Sequence, residues 1–180
     1  MPSISGRRPP DEPSPQVVDD LLDNNRRYAS TYVNYGLSAR PSLGIAVVVC
    51  MDARIDVHAA LGLHQGDAHV IRNAGGIVGD DVLRSLLISQ RLLGTRAVML
   101  VHHTGCGMLD FDDDELADAV ERDTGARPPF ALGAFDDLDE DVRRAIRAVV
   151  ECPYLPHRDA VRGFVYDVVT GRLREVVSVT

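Results

Sequence analysis

An α/β fold is what the hydrophobic pattern of this chain predicts: a mostly parallel central sheet with an antiparallel C-terminal edge and helices on both faces. Three observations carry that expectation. Short apolar runs of strand length recur at residues 44–50, 67–72 and 97–101, stretches of helical periodicity lie before, between and after them, and the last two apolar runs are parted only by Thr170-Gly171-Arg172.

Taken in order, Ser14-Pro15 followed by Val17, Val18, Leu21, Leu22 and Tyr28 reads as a capped amphipathic helix with Pro at its first position. The run 44–50 holds Val47-Val48-Val49, and its β-branched continuity marks a central strand buried on both faces. A second short strand, 67–72, runs into the turn Asn73-Ala74-Gly75-Gly76. Asp80 or Asp81 caps a helix carrying Leu83, Leu86, Leu87, Leu92 and Leu93, and Gly94 stops it. The third strand, 97–101, ends at His102-His103. Helices follow at 113–122 and 139–152, the latter with Val142, Ile146, Val149 and Val150 on one side. Residues 163–169 and 173–179 form a hairpin at the sheet edge. Residues 1–13, rich in Pro, are expected to be a flexible arm, and 14–180 a single domain without internal repeats.

Composition excludes several classes. The formal net charge is -8, with acidic clusters at 110–115 and 136–141 that repel a phosphate backbone, so nucleic acid is not an expected partner. No apolar stretch reaches the ~20 residues of a membrane helix, and the start lacks the apolar middle of a secretory signal, so a cytoplasmic protein is expected. Three cysteines, an odd number, do not make a disulfide framework and suit a reducing compartment. Cys152, before Pro153, reads as a small buried apolar side chain.

The chemistry gathers at two segments, Cys50-Met51-Asp52-Ala53-Arg54 and His103-Thr104-Gly105-Cys106, each closing a predicted strand. Cys50, His103 and Cys106 offer two thiolates and an imidazole, a ligand set that suits a tetrahedral zinc with its fourth position open to water, as catalytic zinc sites require. Adjacent strands lie about 4.8 Å apart, so two neighbouring strand ends can bring Cys50 and His103 to one ion, beyond the carboxyl ends where open α/β sheets collect ligands.

These motifs resemble those of the beta-class carbonic anhydrases, with their Cys-x-Asp-x-Arg followed by a distant His-x-x-Cys. The likeness continues through Val70-Ile71-Arg72-Asn73-Ala74-Gly75-Gly76 to the final hairpin, covers residues 15–180, and is greatest to the short bacterial and archaeal members. It implies an enzyme with one zinc per chain that interconverts carbon dioxide and bicarbonate, built as a homodimer or dimer of dimers, its N-terminal helix wrapped around a partner. The reaction implied is attack of zinc-bound hydroxide on carbon dioxide. Asp52 and Arg54, two apart in an extended segment, project to one side and can pair. In one arrangement the dyad orients the nucleophile; in the other Asp52 itself takes the fourth metal position and closes the site. The family shows both.

His58, His64, His69 and His102 are candidate proton relays, and Gly75 and Gly76 candidate borders of the substrate pocket. The absence of Trp removes a residue with which some relatives bind inhibitory bicarbonate, so control of that kind is not expected. Two other readings stand beside the main one: hydrolysis of a related linear molecule such as carbon disulfide or carbonyl sulfide, and a non-catalytic zinc-stabilised binding or regulatory protein.

Overall fold

The computed structural model describes residues 16–33 and 35–177, so the arm expected at 1–13 and the cap Ser14-Pro15 lie outside the described residues. Two compact units are present, divided between Leu37 and Ser38. The first contains α1 (Gln16–Thr31), an amphipathic helix that buries none of its residues within the chain. Val17, Val18, Leu21 and Leu22 all stand exposed along it, and the rings of Tyr28 and Tyr32 lie 5.5 Å apart.

The second unit is built on five strands: β1 (Ile45–Cys50), β2 (Ala68–Asn73), β3 (Ala97–His103), β4 (Val161–Tyr166) and β5 (Leu173–Val176). Their order is β2-β1-β3-β4-β5; the first four are parallel and β5 returns antiparallel, as the hairpin pattern predicts. Because β1 is flanked on both edges and covered on both faces, every residue from Ala46 to Cys50 is buried, and this is why its sequence is apolar without alternation. Ala46 and Val48 face one core and Val47 and Val49 the other, following the period of two.

The first core lies under α3 (Asp80–Arg91) and α5 (Leu138–Val150). In α5, Val142, Ala145, Ile146 and Val149 recur at helical spacing on the buried side, and Asp137 caps the helix by accepting from the Glu140 N–H at 2.9 Å. Cys152 is buried in this core beside Val142 and Leu155, the apolar role its sequence position suggests. The second core is covered by the short α2 (Val57–Leu61) with Ile55, Met108 and Phe135. Helix α4 (Asp113–Thr124) is mostly exposed, with only Ala117 buried.

Boundaries shift in places for local reasons. Helix α3 is preceded by Gly79, and Asp80 and Asp81 sit inside its first turn, where their charge complements the helix dipole. Helix α2 escapes the periodicity because five residues are too few to show it; Asp56 caps it and Gly62, in the left-handed region, ends it. Strand β3 runs two residues beyond the apolar stretch, carrying His102 and His103 into the ladder opposite Val165 and Tyr166.

Candidate active site

The winding of the sheet reverses between β1 and β3: from β1 the chain crosses to β2 on one side, and β3 adds on the other. Open α/β sheets form their ligand crevice at such a switch point, outside the carboxyl ends of the strands. Cys50 is the last residue of β1 and His103 the last of β3. Cys106 follows a turn in which Gly105 adopts a φ of 60°.

Sequence-distant donors thereby converge. Cys50 Sγ, Cys106 Sγ and a ring nitrogen of His103 all lie within 4.8 Å of one another, and all three residues are buried. His103 Nδ1 lies 3.0 Å from Thr104 O, which assigns the ring proton to Nδ1 and leaves the Nε2 lone pair free. Nε2 is buried without a hydrogen-bond partner. An orphaned imidazole nitrogen beside two thiols is a poor arrangement for its own sake and a fitting one for a soft-to-borderline cation. The S₂N donor set fits zinc.

Electrostatics agree with a site prepared for a cation. The hydrogen bond with Cys106 holds the Cys50 thiol down at about 4 against the opposing effect of burial, with further help from His103. The same contact, together with burial, pushes the Cys106 thiol up, so the pair shares a single proton. Burial works against charge on His103, but the neighbouring Cys50 thiolate outweighs it and raises the imidazole overall.

Asp52 and Arg54 stand beside the three donors. Arg54 Nε donates to Asp52 Oδ1 at 2.9 Å and Arg54 Nη2 to Oδ2 at 2.7 Å, while the Arg54 backbone N–H donates to Oδ1 at 2.9 Å. These bonds, Arg54's side chain first, hold the Asp52 carboxyl at about 2 against the cost of burial. Arg54 Nη2 also donates to Gly105 O at 2.8 Å and so ties the dyad to the turn that delivers Cys106. Asp52 Oδ2 lies 3.6 Å from His103 Nε2.

Chain comparisons point one way. Residues 45–126 match the family described as carbonic anhydrase. Beta-carbonic anhydrase 1 of Mycobacterium tuberculosis is 52% identical over 89% of this chain and 98% of its own length. This chain belongs to the beta-carbonic anhydrase family. Within that family, the crystal structure of a carbonic anhydrase from Streptococcus mutans superposes with a TM-score of 0.84 at 40% identity, covering 89% of this chain and 97% of that one. A carbon disulfide hydrolase of Acidithiobacillus thiooxidans is also similar, 36% identical over 78% of this chain and 76% of its own length.

The remaining candidates are scattered. His102 is fully buried on the face away from His103, its Nε2 2.8 Å from Asp141 Oδ2, with no atom offered to solvent. His69 sits near the opposite end of β2, held between Ser89 Oγ at 2.7 Å and Ala39 O at 3.2 Å. His64 is exposed on a loop against Asp67. His58 lines a cavity of about 350 Å³ with Arg54 and Arg72. Gly75 and Gly76 are buried at the end of β2, and a Cβ on Gly76 would meet Cys50 N and Val101 O, both at 3.1 Å. A larger apolar depression of about 520 Å³ between α3 and the end of α5 lies away from this chemistry.

Sequence reading missed Arg72, whose guanidinium reaches the backbone of Cys50 and Asp52. A cation closing a strand immediately before Asn73-Ala74-Gly75-Gly76 was the available signal.

Proposed function

We propose that this chain catalyses the reversible hydration of carbon dioxide to bicarbonate and a proton, with zinc held by Cys50, His103 and Cys106 and with Asp52 and Arg54 as its catalytic dyad. When bound, zinc supplies Lewis acidity that lowers the pKa of a coordinated water and makes a nucleophile available near neutral pH. Asp52 Oδ2, kept ionised by Arg54, accepts the hydrogen of the attacking hydroxyl and aims its lone pair at the carbon. Arg54 holds that carboxylate back from the three donors and so preserves the fourth position. Gly75 and Gly76 border the small substrate space, and the proton leaves to solvent.

The observation carrying this reading is the two-point Arg54–Asp52 pair beside a buried, partnerless His103 Nε2. A merely structural ion pair has no need of that position. Stopped-flow measurement of carbon dioxide hydration on zinc-quantified protein tests it: zinc-dependent turnover is expected, with a loss of about a hundredfold in Asp52→Asn, the scale of a misoriented reacting group. Full zinc with no hydration would overturn it. The similarity to a carbon disulfide hydrolase favours a second reading, in which the same site attacks a linear sulfur compound; hydrogen sulfide release from carbon disulfide without carbon dioxide hydration would establish it instead.

The exposed apolar stripe of α1 supports a homodimer, or a dimer of dimers, in which α1 packs on a second copy and completes one catalytic domain over residues 14–180. Free cysteines support a cytoplasmic setting. No described helix is long and apolar enough to cross a membrane.

A further inference from the structure

Arg72 lies on β2 opposite Val49 of β1, one residue short of the register position of Cys50. Its Nε donates to Cys50 O at 3.1 Å and its Nη2 to Asp52 O at 2.7 Å. One rigid guanidinium thus spans the carbonyls on either side of Met51. Between them, the Met51 N–H donates to Asn73 O at 2.8 Å, and Asp52 O accepts a further bond from the Ile55 N–H at 3.1 Å. The main chain from Cys50 to Asp52 is therefore held at four points, two of them supplied by Arg72.

We infer that Arg72 is a positioning residue for the reaction: by clamping this main chain it keeps the Asp52 carboxylate on Arg54 and out of the fourth metal position. The inference rests on the reading of Asp52 as the group that orients the nucleophile. Asp has one methylene between backbone and carboxylate, so where the main chain sits decides where Oδ2 sits. Oδ2 is already 3.6 Å from His103 Nε2, and a small backbone displacement brings it among the metal donors. The Arg54 side chain holds the carboxylate and the Gly105 carbonyl but makes no bond to the main chain from Cys50 to Asp52. Arg72 acts on the backbone and does not compete with Arg54 for the carboxylate. Its planar fork reaches two acceptors at once, which a lysine ammonium on a single flexible stem does not reproduce.

The test uses full-length protein loaded with cobalt(II), whose visible spectrum reports on the metal's ligands, with azide as the probe of the fourth position. In Arg72→Gln, full metal content and a melting temperature close to that of the parent are expected, together with azide affinity and kcat/KM each at least about tenfold lower, the size of a modest misplacement of a reacting group. Arg72→Lys is expected to fall between the two. Parental azide affinity in Arg72→Gln would overturn the inference. So would a fully parental Arg72→Lys, since charge would then suffice, or loss of metal and of melting temperature together in both variants, which would make Arg72 a scaffold residue only. Asp52→Asn runs alongside: if it leaves hydration intact, the proposed catalytic role of Asp52 fails first, whereas an impaired Asp52→Asn with parental Arg72 variants rejects the Arg72 inference alone.

Discussion

Replacing Gly76 by alanine separates two costs that glycine avoids at the metal centre. Gly76 has a φ of 73°, and its absent Cβ would stand 3.1 Å from Cys50 N, 3.1 Å from Val101 O and 3.3 Å from Val49 C. Gly94 provides the control: its φ is 78°, yet a Cβ there meets nothing within 4 Å. Both substitutions carry the left-handed penalty of about 1–2 kcal/mol for an L-residue, reduced by roughly 0.4–1 kcal/mol because alanine also restricts the unfolded chain. Gly94→Ala is therefore expected to cost about 1 kcal/mol, or about 2–4 °C in melting temperature for a chain of this size. Gly76→Ala adds overpacking against the main chains of β1 and β3, which are paired on both sides and cannot turn away as a side chain would. That adds about 1–3 kcal/mol, for a total shift of roughly 4–16 °C on the same scale. Melting must be followed at matched zinc and protein concentrations, since anything that binds the folded state shifts the midpoint. Zinc content should fall in Gly76→Ala and stay at the parental level in Gly94→Ala, because only the former displaces the backbone of Cys50. Equal melting temperatures and equal zinc in the two variants would refute the reasoning and show that these strand ends move freely.

Removing a donor is expected to remove the metal: Cys50→Ser and His103→Ala should each fall from one zinc per chain toward none by elemental analysis, and full occupancy would refute the ligand assignment. Arg54→Ala should keep its zinc but lose turnover by about a hundredfold as Asp52 swings free; unchanged turnover would dismiss the dyad. Activity should rise from neutral toward alkaline pH as the nucleophile forms, and Asp52, held at about 2, should add no inflection of its own anywhere above pH 4. For stability away from the metal, Arg174 holds Asp139 through two bonds of 2.6 and 2.9 Å and lowers its carboxyl. A lowered carboxyl stabilises fully above its ordinary value of 3.8 and loses that contribution as pH falls through the depressed one. Arg174→Gln should therefore cost up to about 1 kcal/mol in urea unfolding at pH 7, as partly exposed pairs do, with the gap to the parent closing in acid; a constant gap would mean packing, not charge.

Most of the sheet was legible because burial leaves a strong mark. Val47-Val48-Val49 announces a strand covered on both faces, and the alternation of such runs with helices leaves few topologies. The candidate donors were legible for a related reason: Cys50 ends an apolar run and His103 closely follows one, and side chains at the carboxyl ends of neighbouring strands share one edge of a parallel sheet. What stayed hidden depends on distances that no periodicity encodes. Arg72 resembles any other surface arginine until β2 is paired with β1 in the register that sets it under Cys50 and Asp52. His102 reads as a twin of His103, although strand alternation turns it into the opposite core against Asp141. Gly75 and Gly76 read as a loop, and only the packed strands show how closely Gly76 approaches the backbone of Cys50.

Cys50 and His103 end two central strands that the chain lays down with a third strand and two α-helices between them, and Cys106 follows in the turn after the second. A zinc finger can be excised as a short peptide and folds when metal arrives, because its ligands are neighbours in sequence. Here no short peptide contains the site, and non-local parallel pairing is slow to form. The complete donor set therefore exists only once β3 has docked on β1, and a nascent chain released before that has no full centre to fill.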